Sequence, residues 1–368
     1  MSQAPEKNQH WFVEIESLRG LAALLVIFYH IPAWNQLIYN IPIFRHGHLM
    51  VDFFFVLSGF VIFSSYHGRI RSTNDALKFH LLRIGRLYPV HLLFLFVFLF
   101  FECIKYIAVT KFHLGVDATS LPFSSNNLAA FTQHLLLIQA IGPSGLADTY
   151  NYPAWSISVE FYTYFIFSGI ALFLPRKQVL AFATLFVTSA ILLATDQLNG
   201  YTNLLRGVVG FTLGACLFQV LSCGIWFKGF IVTAFAAGGI LMWASGSSEF
   251  IAVDFLAAAL LLSVLSWRRL STLFCLNTGP LKFLGKVSYS LYMCHAAVIW
   301  VFNQALKILL DRPIIETAGT ASTQLSLAEA VFAYIAVVAS CVIVSIITYH
   351  LIEQPCRSFS RRKISKAF

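Results

Sequence analysis

The sequence predicts an all-α fold, a polytopic membrane helical bundle of about ten transmembrane helices with both termini in the cytoplasm. Of the 368 residues, 58% are hydrophobic and 11% are charged, and the mean hydropathy is +0.75. Soluble domains carry roughly a quarter charged residues, so this composition indicates an integral membrane protein. Apolar runs also recur along the whole chain, and the basic residues between them collect on one predicted face.

Apolar runs long enough to cross a bilayer begin near residue 17 and continue almost to the C-terminus. A membrane-spanning helix needs about 20 mainly apolar residues. The hydropathy pattern predicts ten spans, at 17–34, 48–66, 87–109, 155–174, 179–196, 202–221, 229–246, 250–266, 284–307 and 328–351. Because the runs are spread over the whole length, we expect a single membrane-embedded domain over residues 1–368.

The basic residues set the expected orientation of these spans. With the N-terminus inside, all but six of the 25 Lys and Arg residues fall in cytoplasmic segments or at cytoplasmic span ends; the six are Arg45, Lys105, Lys111, Arg206, Lys307 and Arg312. This asymmetry is the positive-inside pattern. The net charge of +9 is therefore scattered over short loops of one face. That arrangement suits contact with membrane lipids and argues against a nucleic-acid partner.

Two connecting segments have a distinct composition. Residues 67–86 are predicted as a cytoplasmic basic loop, with Asp75 as their one acid. Residues 110–154 are predicted as a periplasmic loop, and the apolar stretch 128–141 within it suits an interfacial helix. The seven cysteines are scattered, without a CxxC pair or a zinc-type grouping with histidines, so we expect no metal site.

Arg19 and His30 share the first predicted span. Eleven residues at about 100° each return to within roughly 20° of the same helix face, ~16 Å further along the axis. Ionisable groups inside a span are costly, and they usually face a polar cavity or a partner and carry function. The alternative is that His30 is a helix-end histidine bonded to a backbone carbonyl.

Asp52 and Glu160 are predicted at the depth of His30. Each lies within about five residues of the outer start of an inward-running helix, or ~5 to 8 Å deep. A carboxylate beside an imidazole fixes its tautomer and raises its basicity, so that the imidazole can accept a proton from a hydroxyl. We therefore expect His30, Asp52 and Glu160 to be catalytic, the alternative being that both carboxylates are interfacial and solvated.

Arg19, Arg83 and Arg86 are expected near the inner opening of the bundle. Guanidinium groups bind phosphate bidentately and keep their charge, so this cluster suits a phosphorylated ligand from the cytoplasm. The alternative is ordinary topology-setting charge or contact with anionic lipid head groups. Two further candidates are Arg206, which can pair with Glu160 or contact an outer substrate, and His295, for which a packed histidine in an aromatic-rich span is the alternative.

Six ordered motifs resemble those of acyltransferase family 3, a family of multi-span bacterial membrane enzymes. They are Arg19 to His30, VDFFFVLSGFVI (Val51–Ile62), RIGRLYP (Arg83–Pro89), WSISVE (Trp155–Glu160), SYSLYMCH (Ser288–His295) and LIEQPCR (Leu351–Arg357). One departure is Cys294, where the family usually has an aromatic residue. The resemblance covers nearly the whole chain and is closest to the stand-alone members, which have no fused esterase-like domain.

The resemblance implies transfer of an acetyl or other short acyl group from cytoplasmic acetyl-coenzyme A to a hydroxyl of an extracytoplasmic saccharide, such as O-antigen, exopolysaccharide or a lipid-linked glycan, at the bacterial inner membrane. This fits the arginine cluster, and we expect Arg19, Arg83 and Arg86 to hold the coenzyme A phosphates. The alternative from another class is a proton-coupled transporter of a small solute, because histidines and carboxylates inside spans also form proton relays. A lipid-binding scaffold is a third alternative.

Overall fold

A computed structural model describes residues 7–112, 121–221, 223–246, 248–267, 270, 272, 275–310, 312–317 and 319–367 of the chain. The predicted all-α bundle is confirmed, because helices account for most of these residues. Within the described ranges, seven helices are long and apolar enough to cross a membrane. The count of ten spans and the cytoplasmic position of both termini stay predictions.

Each predicted span falls on one of the longer helices. In chain order the α-helices are α1 (Lys7–His30), α2 (Gln36–Tyr39), α3 (Pro42–Arg45), α4 (Met50–Tyr66), α5 (Thr73–Phe112), α6 (Leu128–Leu136), α7 (Trp155–Phe173), α8 (Gln178–Ala194), α9 (Thr202–Val220), α10 (Ile225–Ser245), α11 (Glu249–Ser266), α12 (Gly279–Leu309), α13 (Leu327–Thr348) and α14 (Gln354–Ala367). Short 3₁₀ turns form at Gly47–Leu49 and Tyr152–Ala154, and a π-helical turn, Tyr349–Glu353, joins α13 to α14.

The predicted cytoplasmic loop at 67–86 is shorter in the structure, because α5 already begins at Thr73. Ser72 and Asp75 cap the N-terminus of α5, since the side chain of each accepts a hydrogen bond from the backbone N–H of the other. The Asp75 carboxylate accepts hydrogen bonds from the backbone N–H and the hydroxyl of Ser72, at 3.0 and 2.8 Å, and the Ser72 hydroxyl accepts one from the Asp75 N–H at 3.2 Å. This capping arrangement stabilises a polar first turn. Because this first turn is polar, the hydropathy pattern does not indicate that the helix begins there.

The predicted outer segment, 110–154, is partly helical. Its first residues continue α5 as far as Phe112, and residues 113–120 lie outside the described part of the chain. A helix inside the apolar stretch 128–141 is confirmed as α6, which begins at an Asn127 cap and ends at Leu137 in the left-handed conformation. Its interfacial position stays a prediction.

The chain forms two compact units. The first unit contains Met1–Val26, His46–Phe79 and Tyr162–Tyr289, and the second contains Ile27–Arg45, His80–Phe161 and Ser290–Phe368. In the first unit α4 packs along α9, and α11 contacts both of these helices as well as α10. The core between them is apolar and includes Phe53, Val56, Phe60, Leu213, Leu217 and Leu261. Helix α10 exposes large apolar side chains such as Phe230 and Leu241, as expected of a lipid-facing helix.

Glycines let α4 and α9 approach backbone to backbone. An ideal Cβ atom on Gly59 would lie 1.9 Å from the carbonyl oxygen of Phe211, and one on Gly214 would lie 2.0 Å from that of Val56. Small residues at such positions are typical of close helix pairs in membranes.

Substituting Gly59 is therefore expected to destabilise the first unit. In Gly59→Ala the added methyl group forces α4 and α9 apart, and such overpacking costs about 1–3 kcal/mol. Thermal unfolding in detergent, followed by size-exclusion chromatography, measures the effect. Gly169→Ala is the matched control, since a Cβ atom there meets no described atom within 4 Å. Equal unfolding temperatures for the two variants would show that the close approach is not needed.

The second unit contains a two-stranded antiparallel hairpin that the sequence analysis did not predict. Its strands are β1 (Ile314–Thr317) and β2 (Thr320–Thr323). Residues next to the hairpin and on α12 form hydrogen bonds with the segment that follows α1. The Trp34 indole donates to the Asn303 side-chain oxygen at 3.0 Å, and the Leu325 N–H donates to the Trp34 carbonyl at 2.7 Å. These bonds fix the chain just beyond His30, the last residue of α1.

Candidate active site

His30 and His295 form a hydrogen-bonded pair in the second unit. His30 Nδ1 lies 3.1 Å from His295 Nε2, and the two ring centroids are 4.9 Å apart. His295 is 0% exposed, whereas His30 is partly exposed. Helix α1 is continuous from Lys7 to His30, which confirms that Arg19 and His30 share one helix. The histidine that the sequence analysis kept as a further candidate is thus a direct partner of the expected catalytic histidine.

The bonds of His295 assign the tautomers of both rings. Its Nδ1 lies 2.5 Å from the Tyr292 carbonyl oxygen, which can only accept a hydrogen, so His295 Nδ1 carries the proton. In a neutral imidazole the other nitrogen is then an acceptor, and His295 Nε2 accepts the hydrogen of His30 Nδ1. The lone pair of His30 is therefore on Nε2. This is the protonation state that a general base requires.

The start of α7 is bonded to α12 around this pair. The Asn151 side chain donates to the Met293 carbonyl at 3.1 Å, and the hydroxyls of Ser156 and Tyr292 lie 2.9 Å apart. The Tyr152 ring stands 5.1 Å from the His30 ring. Glu160, predicted to be catalytic, lies one helical turn after Ser156 and is half-buried in the same unit. Its role in orienting an imidazole stays a prediction.

Asp52 is bonded to Arg206 inside the first unit. The guanidinium donates to both carboxylate oxygens, from Nε to Oδ1 at 3.0 Å and from Nη2 to Oδ2 at 2.7 Å. Asp52 is 0% exposed and Arg206 is 8% exposed. The sequence predicted Asp52 at the depth of His30, and it left Arg206 either to pair with Glu160 or to contact an outer substrate. The structure gives Asp52 a bidentate cation and His30 an imidazole partner, and a catalytic role for Asp52 stays a prediction.

Asp254 is a second buried acid near this ion pair, and the sequence analysis missed it. It is 0% exposed, and neither of its carboxylate oxygens has a hydrogen-bond partner among the described residues. An ideal Cβ atom on Gly210 would lie 3.0 Å from Asp254 Oδ1 and 3.3 Å from the Asp52 carbonyl oxygen, so the two acids flank the same turn of α9. A buried carboxylate without a partner is costly in its charged form. We therefore expect Asp254 to be neutral beside the Asp52–Arg206 pair.

The arginines of the second unit gather where α5 meets α14. An ideal Cβ atom on Gly85 would lie 2.0 Å from Ser360 Oγ, so the two helices touch beside Arg86. Arg357 interacts electrostatically with Arg86 and Arg361. Arg83 and Arg86 are half-buried, and the Nε atom of Arg86 is buried without a hydrogen-bond partner in the described part of the chain. Such crowded cations favour an anion. Arg357 and Arg361 extend the predicted pair.

Arg19 lies in the first unit, where α1 contacts α12. An ideal Cβ atom on Gly20 would lie 2.7 Å from the Gly285 nitrogen, and one on Gly285 would lie 2.0 Å from the Glu16 carbonyl oxygen. Arg19 itself is half-buried. The close backbone contact on either side of it fixes the position from which its side chain projects.

His91 and His134 are two further buried histidines, and their hydrogen bonds join neighbouring segments of the second unit. His91 Nε2 donates to the His134 carbonyl at 2.8 Å, and His134 Nε2 lies 3.1 Å from the Thr149 hydroxyl. Burial, followed by the charge of His91, lowers the pKa of His134 to about 3. His134 therefore stays neutral at physiological pH. These bonds tie α6 to α5 and to the segment before α7.

Comparison with known proteins identifies the family. The family model of the acyltransferase domain matches residues 12–349. A Bacillus subtilis protein provisionally named as a peptidoglycan O-acetyltransferase is 26% identical over 97% of this chain and 57% of its own length. A protein of the picA locus of Rhizobium radiobacter is 28% identical over 44% of this chain and 81% of its own length.

A third relative is a protein of Acidianus two-tailed virus, provisionally named as an acetyltransferase. It is 28% identical over 41% of this chain, and this chain spans 38% of its length. No solved structure matches the chain. Because the family model covers residues 12–349, and because five of the six motifs lie in order within that range, the chain belongs to acyltransferase family 3.

Proposed function

We propose that this protein transfers an acetyl group from cytoplasmic acetyl-coenzyme A to a hydroxyl of an extracytoplasmic saccharide at the bacterial inner membrane. The family makes the chain an acyltransferase. The Bacillus subtilis relative is provisionally named as a peptidoglycan O-acetyltransferase, which supports an acetyl group as the cargo and a saccharide as the acceptor. O-antigen, exopolysaccharide and lipid-linked glycans belong to the same chemical class of acceptor.

The observation that carries the proposal is the His30–His295 pair. His30 Nε2 accepts the proton of the acceptor hydroxyl, and the oxygen attacks the thioester carbonyl. The carbon–sulfur bond then breaks, and the coenzyme A thiolate takes up the proton that His30 accepted, which restores the neutral imidazole. One thioester and one alcohol thus give one ester and one thiol. The His295 acceptor holds His30 in the reactive tautomer before the proton is transferred.

The arginines are proposed to bind the acyl donor, acetyl-coenzyme A. Arg83 and Arg86, with Arg357 and Arg361 beside them, bind the coenzyme A phosphates, and Arg19 contributes from the inner part of α1. The ~16 Å between Arg19 and His30 along one helix can be spanned by an extended pantetheine arm. The nucleotide then stays on the inner side while the thioester reaches His30.

The arginine assignment predicts a loss of donor affinity. Arg86→Ala removes a charged phosphate ligand and is expected to raise the dissociation constant of coenzyme A about ten- to a hundredfold. Calorimetric titration of the purified protein with coenzyme A measures this. Arg69→Ala is the matched control, because Arg69 is an exposed cation on the segment just before α5. If both variants bind coenzyme A as tightly as the wild type, Arg86 sets the membrane orientation of the chain and does not bind the donor.

The function itself is tested by two products measured together. Purified protein, acetyl-coenzyme A and a neutral oligosaccharide should release free thiol and add one acetyl group to the sugar, detected by mass spectrometry. A proton-coupled transporter or a lipid-binding scaffold would give neither product. Acetyl groups found on His30 after rapid quenching would replace direct transfer with an acyl-histidine intermediate.

A further inference from the structure

A cavity lies at one end of four helices of the first unit, and its lining does not include His30 or His295. It has a volume of about 550 Å³, within the range of ligand pockets. The C-terminal ends of α8 and α10 and the N-terminal ends of α9 and α11 meet there. Its lining includes Asp196, Thr202, Trp243, Ser248, Glu249 and Phe250. In the orientation predicted from the basic residues, this end faces the outside.

The lining has the chemistry of a sugar site. Trp243 and Phe250 offer aromatic faces against which the apolar face of a sugar ring packs. Asp196 and Glu249 accept hydrogen bonds from sugar hydroxyls, and the hydroxyls of Thr202 and Ser248 both donate and accept. The carboxylates of Asp196 and Glu249 at one cavity repel an anionic ligand, and the neighbouring His48, 3.7 Å from a Glu249 oxygen, offsets this charge only when it is protonated. The lining therefore favours a neutral saccharide over a phosphorylated or acidic one.

Local backbone geometry and side-chain packing hold the lining in place. Asp196 adopts a left-handed conformation with φ 48°, which is uncommon for a residue other than glycine, at the turn after α8. Gly246 ends α10 in the same region with φ 66°. The Phe250 ring stacks on the Arg206 guanidinium at 4.0 Å, so the wall of the cavity rests on the buried Asp52–Arg206 pair. Trp243 also contacts the His46 ring, at 5.2 Å.

We propose that this cavity is a subsite for the saccharide acceptor, which stacks a neutral sugar unit on Trp243 and bonds its hydroxyls to Asp196 and Glu249. This inference rests on the proposed function. A tryptophan at a helix end also suits the aromatic belt of a membrane interface. Interfacial anchoring alone would not change the affinity for a soluble sugar, so the acceptor KM separates the two roles.

The first test compares acceptor kinetics in purified variants, with an N-acetylglucosamine tetrasaccharide as the neutral probe. Trp243→Ala is expected to raise the acceptor KM about five- to tenfold and to leave the KM for acetyl-coenzyme A unchanged. Trp243→Phe, which keeps an aromatic face, should restore most of the affinity. Trp226→Ala is the matched control, because Trp226 lies at the other end of the same helix and is 91% exposed.

The second test uses charge. A hyaluronan tetrasaccharide, which carries uronic acid carboxylates, is expected to bind the wild type weakly and the Asp196→Asn/Glu249→Gln variant more tightly. An acceptor KM that is unchanged in Trp243→Ala, with thiol release and acetylation intact, would overturn the subsite and leave the proposed function standing. If the wild type binds the neutral tetrasaccharide through Trp243 but never acetylates it, the proposed function fails and the sugar site stands.

Discussion

The His30→Ala variant is expected to lose acyl transfer while still binding coenzyme A. The hydrogen bonds of His295 imply a lone pair on His30 Nε2, and removal of a positioned general base typically lowers a rate about 10²- to 10⁴-fold. The arginines that we assign to the donor are untouched, so the dissociation constant of coenzyme A should stay at the wild-type value. Thiol release under saturating donor and acceptor measures the rate, and calorimetric titration measures donor binding.

Two further substitutions define the role of His30. His295→Ala removes the acceptor for the His30 Nδ1 hydrogen, so it should slow transfer less than His30→Ala and shift the pH profile of the remaining activity. His350→Ala is the control, since His350 is an exposed histidine of the same unit and is expected to keep full activity. Turnover by His30→Ala equal to that of the wild type would exclude His30 as the base.

The second large effect is expected at the buried charges of the first unit. Asp52→Asn leaves the Arg206 guanidinium buried without its bidentate partner, but Asp254 can then ionise and balance the charge. Asp254→Asn alone replaces a neutral acid by a neutral amide of similar shape. We therefore expect both single variants to stay folded, whereas the double variant loses about 3–5 kcal/mol of stability, because both buried acids described beside the Arg206 guanidinium are then replaced by neutral amides.

Thermal unfolding of the four proteins in detergent forms a double-mutant cycle that tests this account. The predicted result is that the unfolding temperature falls further in the double variant than the sum of its decreases in the two single variants. Infrared spectroscopy adds a direct readout, since the carbonyl band of a protonated carboxyl group should disappear in Asp254→Asn. Additive shifts, together with the absence of that band in the wild type, would show that Asp254 is not a neutral reserve acid.

Most of the helical architecture could be predicted from the sequence, because membrane spans must be apolar over about 20 residues. The polar start of α5 was missed because its stability comes from the Ser72–Asp75 cap rather than from hydropathy. The hairpin at 314–323 was missed for a related reason. It is too short to give a strong period-2 signal, and its Ala321 carbonyl accepts from Asn303 of α12, while the residues that follow it bond to the distant segment after α1.

The site was predicted in part. The sequence singled out both His30 and His295, but their hydrogen bond joins residues 265 positions apart, and spacing along the chain cannot show such a contact. For the same reason it did not show that Asp52 pairs with Arg206. Asp254 was within reach of sequence reasoning, because an acid inside a predicted span is costly and usually functional.

The arginines illustrate a different limit. Arg83 and Arg86 were identified from their position before the third span. Arg357 and Arg361 were counted only among the basic residues of the cytoplasmic segments that set the predicted topology. Only the close contact of Gly85 with Ser360 shows that α14 returns beside Arg86. A charged residue that sets membrane orientation and one that binds a ligand look alike until the fold places their neighbours.

The central claim is that one chain joins a donor on the inner side of the membrane to an acceptor on the outer side, and reconstituted vesicles test it most directly. Acetyl-coenzyme A is sealed inside proteoliposomes, a neutral oligosaccharide is added outside, and each compartment is analysed by mass spectrometry. The account predicts acetylated sugar outside and free coenzyme A retained inside, with neither product in His30→Ala vesicles. Acetylation that occurs only when donor and acceptor share a compartment would contradict it.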